Sequence, residues 1–331
     1  MTAQDSATPT NRIAVDSATR DGATTGAPSP ADPAQRRLPE PGPGERRSAS
    51  GTLQAALGVT AFSLTFPATV WALDGFGPWS LVAVRSLLAG LLAGACLLAL
   101  RVRLPERRHR AGIAVVAAGV VLGFPLLTTL ALETSTTAHA AVVVGLLPLT
   151  TALFSALRTG ARPSRTFWVA ALAGAAAVIA FTVAQSGGDL TAADLYLFAA
   201  LLICAAGYTE GGRLSRVMPG WHVLGWALVL CLPIAAVATW AAVDLEPVHL
   251  TARSVAGMAW LVVGSQWVGL IVWYRGMAAI GIPKASQLQL AQPLLTLVWS
   301  VLLLGEDLTW AAPLTAVAVL VCIAVTQRSR S

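Results

Sequence analysis

The sequence predicts an all-α integral membrane protein, with ten transmembrane helices arranged as two inverted five-helix repeats behind a disordered N-terminal tail. Three observations predict it. Of 331 residues, 56% are apolar and only 11% charged, whereas a soluble domain carries about 25% charged residues. Ten apolar stretches follow one another, joined by short loops whose charge alternates in sign. A shift of 145 residues lays one stretch on another with a mid-span proline in each copy aligned. A chain this poor in charge, with mean hydropathy +0.69, cannot clothe a water-facing surface. A soluble enzyme, a nucleic-acid binder and a disordered scaffold are excluded.

The tail comes first. Residues 1–51 hold only Met1, Ile13, Val15 and Leu38 as large apolar side chains and no aromatic residue. Such a segment buries too little surface to offset its ordering entropy. A disordered cytoplasmic tail is expected, without the basic start and apolar core of a secretory signal. Arg36, Arg37, Arg46 and Arg47 suit either plain solvation or contact with anionic lipid.

A membrane-crossing helix needs about 20 apolar residues. Cutting at charge clusters and turn residues places spans at 53–73, 78–100, 112–132, 136–157 and 167–185, then at 193–212, 221–243, 254–275, 284–304 and 309–326. The first repeat is then 52–186, the second 187–327, and 328–331 a short cytoplasmic end.

Loop charge tests the count. One side holds Arg101, Arg103, Arg107, Arg108 and Arg110, then Arg158, Arg162 and Arg165, then Arg213 and Arg216, then Arg275 and Lys284. The other holds Asp74, Glu133, Asp189, Asp194, Asp244, Glu246, Glu306 and Asp307, with Arg253 as its only loop base. Cytoplasmic loops collect Arg and Lys, so both termini are expected in the cytoplasm and the chain in the cell (plasma or inner) membrane. An error of one span would reverse the pattern downstream. The net charge of +6 therefore sets orientation and is no nucleic-acid footprint. The four cysteines sit in apolar runs without metal-ligand spacing, so neither a metal nor another cofactor is expected.

The repeat is clearest between the fourth and ninth spans. Ala140 meets Ala285, Pro148 meets Pro293, Leu149 meets Leu294, Thr151 meets Thr296 and Ser155 meets Ser300. A unit of five spans is odd, so consecutive copies face opposite ways, the arrangement of many alternating-access carriers.

Polar residues at mid-depth are the candidate site. Thr65, Gln266 and Thr296 lie about 12 residues into their spans, roughly 18 Å deep, with Ser63, Thr151 and Gln292 near that level. On the ninth span Ala285, Gln289, Gln292 and Thr296 form one stripe at helical spacing. An amide facing lipid is costly, so these face the interior, either as interhelical glue or as groups that orient a ligand. Gln266, beside Trp267, carries the same two readings. Pro67, Pro125, Pro148 and Pro293 interrupt spans, as static kinks or as bends that gate. The pairs Gly90/Gly94, Gly119/Gly123 and Gly207/Gly211 permit close helix approach. Arg85, the deepest charge, is expected to snorkel to the interface or to pair with Glu133, in preference to binding a substrate carboxylate. Glu210 is expected to pair with Arg213 across one turn. Every acid and histidine, His139 included, falls near a span end, so proton coupling is assigned to no residue. No nucleophile–base set marks an enzyme, and no polar ring marks a channel.

Three stretches carry a family resemblance. They are Pro78-Trp79-Ser80-Leu81 leading to Arg85; Ala138–Leu157 around Pro148; and Ile280–Ser286 through Gln292-Pro293 to Leu304-Gly305-Glu306-Asp307-Leu308-Thr309. With them, residues 53 to 326 resemble the EamA-type transporters of the drug/metabolite transporter superfamily. The first repeat has Ala161 where the second has Glu306, so that acid is no symmetric catalytic element. The resemblance implies a cavity between the halves, lined by helices 1, 3, 4, 6, 8 and 9. It implies a secondary-active transporter working by alternating access, an exporter or occasionally an importer of small, amino-acid-like metabolites or amphipathic drugs. With no basic residue near the midplane, neutral or zwitterionic substrates fit better. A nucleotide-sugar or organic-anion carrier of the same fold would call for Lys or Arg in the cavity, and a purely structural protein leaves the repeat unexplained. The expected substrate residues are Ser63, Thr65, Thr151, Gln266, Trp267, Gln289, Gln292 and Thr296. The partners are a small-molecule substrate and the bilayer, for a monomer or homodimer.

Overall fold

Each expected apolar stretch forms a helix in the computed structural model, which describes residues 43–159, 164–185, 190–280 and 288–328. Helix α1 runs Pro43–Ser63 and, past Leu64, Thr65–Leu73. Helix α2 is Pro78–Ala99. Helix α3 joins Arg107–Val116 to Phe124–Leu132 through the π-helical turn Ala117–Gly123. Helix α4 is Thr137–Val144 and Leu147–Thr159, and α5 is Arg165–Gln185. The second half has α6 Ala192–Leu214, α7 Gly220–Leu245 and α8, which passes from Ala252–Ala259 through π-helical Trp260–Gly269 to Leu270–Ile280. It closes with α9 Ala291–Leu304 and α10 Ala311–Arg328. No strand occurs among the described residues. Helix α1 begins inside the segment expected as tail, of which residues 1–42 lie outside the described residues. So do Arg162, Asp189, Lys284 and Ala285.

Seven helices (α1–α4 and α6–α8) are long and apolar enough to cross a membrane, while α5, α9 and α10 have shorter apolar stretches. Leu91, Leu172, Val237, Leu302 and Leu314 are more than half exposed. So large an apolar exterior would be heavily penalised in water; it is the surface a bilayer covers. Trp240 and Trp310 stand exposed near helix ends, where indoles anchor at the lipid–water boundary.

The helices pair across the two halves. Helix α2 packs on α7, α4 on α9 and α5 on α10; α1 packs on α8 and α9, and α6 on α3 and α4. Exchanging helices one to five with six to ten leaves this set unchanged, as a two-fold relation between the halves demands. The irregularities repeat as well. Shifted by 145, the π turn of α3 falls inside that of α8, and the break of α4 at Gly145-Leu146 falls on Leu290, a turn before α9. Gly119 of α3 lies against Ile203 O and Gly207 of α6, with no room for a Cβ at Gly119. The small-residue pairs thus serve packing within the chain.

Candidate functional site

Proline chemistry organises the centre. Pro67 has no N–H, so Ser63 O loses its helical donor and α1 breaks at Leu64. Thr296 of α9 fills the gap: its Oγ1 donates to Ser63 O at 3.0 Å and to Gln292 O at the same distance. Trp299, one turn on, donates from Nε1 to Ser63 Oγ at 2.9 Å. Ser63 is fully buried and Thr296 nearly so. Thr296 therefore has its proton committed to backbone and keeps only acceptor capacity for anything else. Thr65, just past the break, shares a 2.7 Å hydrogen bond with Ser265 of α8.

The broken helices α4 and α9 face each other around a cleft of about 40 Å³, lined by Val144, Pro148, Gln289, Gln292, Pro293 and Thr296, with Phe66 of α1. That is room for roughly two or three waters. Of the expected stripe on the ninth span, Gln289, Gln292 and Thr296 line one cleft across the turn at Leu290. Gln289 and Gln292 bring amide donors and acceptors to the cleft. Thr151 lies on α4 with its hydroxyl buried and without a hydrogen-bond partner among the described residues. Pro125 is buried directly after the π turn of α3. The sequence did not single out Pro233, which lies inside α7.

Gln266 is elsewhere. It does not face the stripe of α9: its Oε1 accepts from Nε of Arg85 on α2 at 2.9 Å. Trp267 packs with the apolar cluster around α2, α3, α7 and α8. Arg85 itself corrects an expectation. It neither snorkels nor pairs with Glu133, but is buried at 7% exposure. Glu133 has its carboxyl raised above the usual range by desolvation and by the charge of Glu246, where a pairing arginine would lower it.

Acids near the helix ends, placed by sequence in loops, act as caps and latches. Gly305 takes the left-handed φ of 68° that its missing side chain permits. Glu306 N then bonds back to Ser300 O at 3.1 Å, closing α9 in a Schellman-type turn. The turn aims the Glu306 carboxylate at the first amides of α4, accepting from Thr137 N at 2.7 Å and Ala138 N at 3.0 Å. Glu246 does the same for α2, accepting from Ser80 N at 2.7 Å. Both anions meet the positive end of a helix dipole. His139 and Asp194 are buried, with Nε2 and Oδ1 2.7 Å apart, joining α4 to α6. Thr191-Ala192-Ala193-Asp194 reads as a capping box, and the box is formed; that signal was available in the sequence. The partnership with His139, 55 residues away, was not. Glu210 pairs with Arg213 as its spacing implies, and Arg158 of α4 approaches its other oxygen at 3.9 Å.

The EamA-like transporter family model matches residues 49–183 and again 191–327, one copy for each five-helix half. The chain belongs to the EamA-like transporter family. It is therefore a multi-pass membrane protein of a transporter family built from two copies of the EamA unit. The protein named uncharacterized transporter YdeK of Bacillus subtilis (strain 168) is 39% identical over 289 residues, covering 85% of this chain and 98% of that protein. A solved crystal structure matches with TM-score 0.59 at 22% identity, covering 84% of this chain and 96% of its own; that likeness is one of fold.

Proposed function

We propose that this EamA-family protein is a secondary-active carrier and no enzyme. It exports small neutral or zwitterionic, amino-acid-like metabolites, or amphipathic drugs, by alternating access. One observation carries the reading: α4 breaks at Gly145-Leu146, α9 begins after a turn at the equivalent Leu290, and the two meet around the amide-lined cleft. Discontinuous helices at the interface of inverted repeats are where such carriers hold substrate. The cleft is too small for an amino acid, so loading requires α4 and α9 to part at these breaks. In this reading Gln289, Gln292 and Thr296 contact substrate and Ser63, Thr65 and Thr151 shape the surrounding wall, while Gln266 and Trp267 lie outside that wall, on the side of α8 that faces α2. Pro67, Pro125, Pro148 and Pro293 mark the bends.

The test is a metabolite-wide comparison of medium from overexpressing and deletion cells. A small set of metabolites should rise outside the overexpressing cells and accumulate inside the deletion cells. Identical profiles would remove the export reading.

The carrier is placed in the cell membrane with both termini cytoplasmic. Single cysteines at Asp74, Arg107, Arg213 and Asp307 are expected to react with an impermeant thiol reagent from outside at the first and last positions only. External labelling at 107 or 213 would reverse the orientation.

A further inference from the structure

We propose that Arg85, held in place by Gln266, binds the carboxylate of the transported molecule. The proposal rests on the carrier reading above and narrows its cargo to small carboxylate-bearing metabolites. The observation behind it is a buried charge without a counter-charge. Arg85 is more than nine-tenths buried, and its hydrogen bond to Gln266 is the one it makes among the described residues. No described carboxylate lies within ion-pair distance of it. A guanidinium has five N–H donors, and a neutral amide satisfies one while supplying no charge.

Burying a charge is costly unless it is paired and hydrogen-bonded. Within a membrane, such a residue marks a ligand path or has a partner. The described residues supply no counter-charge here, so in this proposal the missing anion comes with the cargo. Arg85 is the eighth residue of α2, about 10 Å from the helix start, too deep and too enclosed for a lipid phosphate. Its planar fork matches the two oxygens of a carboxylate. By taking Nε, Gln266 leaves the two terminal nitrogens for that bidentate contact, which makes Gln266 a positioning residue. The locus connects to the cleft: Ser265, next to Gln266, bonds Thr65, and the following residue, Phe66, lines the cleft.

The test uses the full chain in liposomes. One set is loaded with an equimolar mixture of the twenty L-amino acids, a second with the corresponding amino-acid amides, and a third with ethidium. Efflux is read by mass spectrometry or fluorescence. At least one acid should leave, and its amide should leave about 10- to 150-fold more slowly, the worth of one charge-assisted contact. Arg85→Gln should slow the acid by a similar factor, and Arg85→Lys by less. Gln266→Glu supplies an internal carboxylate for Arg85, so it should hold or raise the melting temperature while slowing acid efflux at least about 10-fold. A structural role alone would leave that efflux intact. If Arg85→Gln fails to fold, Gln266→Glu decides. An amide that leaves as fast as its acid, or Gln266→Glu with undiminished acid efflux, overturns the proposal and leaves the carrier reading standing. Efflux of amides or ethidium without acids does the same. No efflux from any set sinks the carrier reading and the proposal together.

Discussion

Asp194→Leu is expected to destabilise the protein by about 1.5–5 kcal/mol. The sum has two parts. Asp194 Oδ2 accepts from Thr191 N at 2.8 Å and Thr191 Oγ1 at 2.7 Å, and loss of such a cap costs about 0.5–2 kcal/mol. His139 Nε2, buried against Phe181 with ring centroids 5.4 Å apart, loses its partner, at about 1–3 kcal/mol for an orphaned buried group. Asp194→Asn keeps an acceptor for Thr191 and an N–H for the imidazole, so it should lose less. The double variant His139→Leu/Asp194→Leu should lose less than the two singles summed, because the pair is then removed whole. Melting of the detergent-purified protein reads all four. An Asp194→Leu protein that melts with the unaltered one would show that the pair does not join α4 to α6 in the folded chain.

Gln292→Leu is expected to have the largest effect on transport among cleft substitutions. It keeps side-chain size roughly constant and removes the amide from the α4–α9 cleft. If the amide orients cargo, a substrate group left unpaired costs about 1–3 kcal/mol, and the apparent KM rises about 5- to 150-fold at unchanged protein level. If it serves only as interhelical glue, the loss is one of stability, about 0.6 kcal/mol by membrane averages. Flux would then fall with protein amount for every substrate alike. Val298→Leu, on the exposed side of the same helix, should do little. Equal effects at 292 and 298 would take Gln292 out of the site.

What the sequence made legible follows from period and count. Apolar run length located the helices of the described residues, seven of them long and apolar enough to cross a bilayer, because a bilayer imposes that length on any helix crossing it. The register Pro148/Pro293 exposed the repeat, since a proline disturbs a helix wherever it falls. Helical spacing put Gln289, Gln292 and Thr296 on one face, which the structure brings to one cleft, and depth arithmetic put Gln292 and Thr296 near the midplane. It failed for Gln266 and Arg85, because depth says nothing of azimuth: the two are 181 positions apart, and only the packing of α2 against α8 joins them. It failed likewise for Glu306, whose role depends on the end of α9 arriving at the start of α4. Side chains assigned to loops by charge alone proved to be caps, where hydrophobicity carries no signal and a helix dipole does.

The central claim is that cargo is carried between the two halves instead of diffusing through a pore. Counterflow tests it most directly, with the full chain in liposomes and a labelled form of whichever metabolite the export comparison identifies. Excess unlabelled metabolite inside should drive transient uptake of label above equilibrium, and the initial rate should saturate with external concentration. A rate linear in concentration with no overshoot would contradict the account.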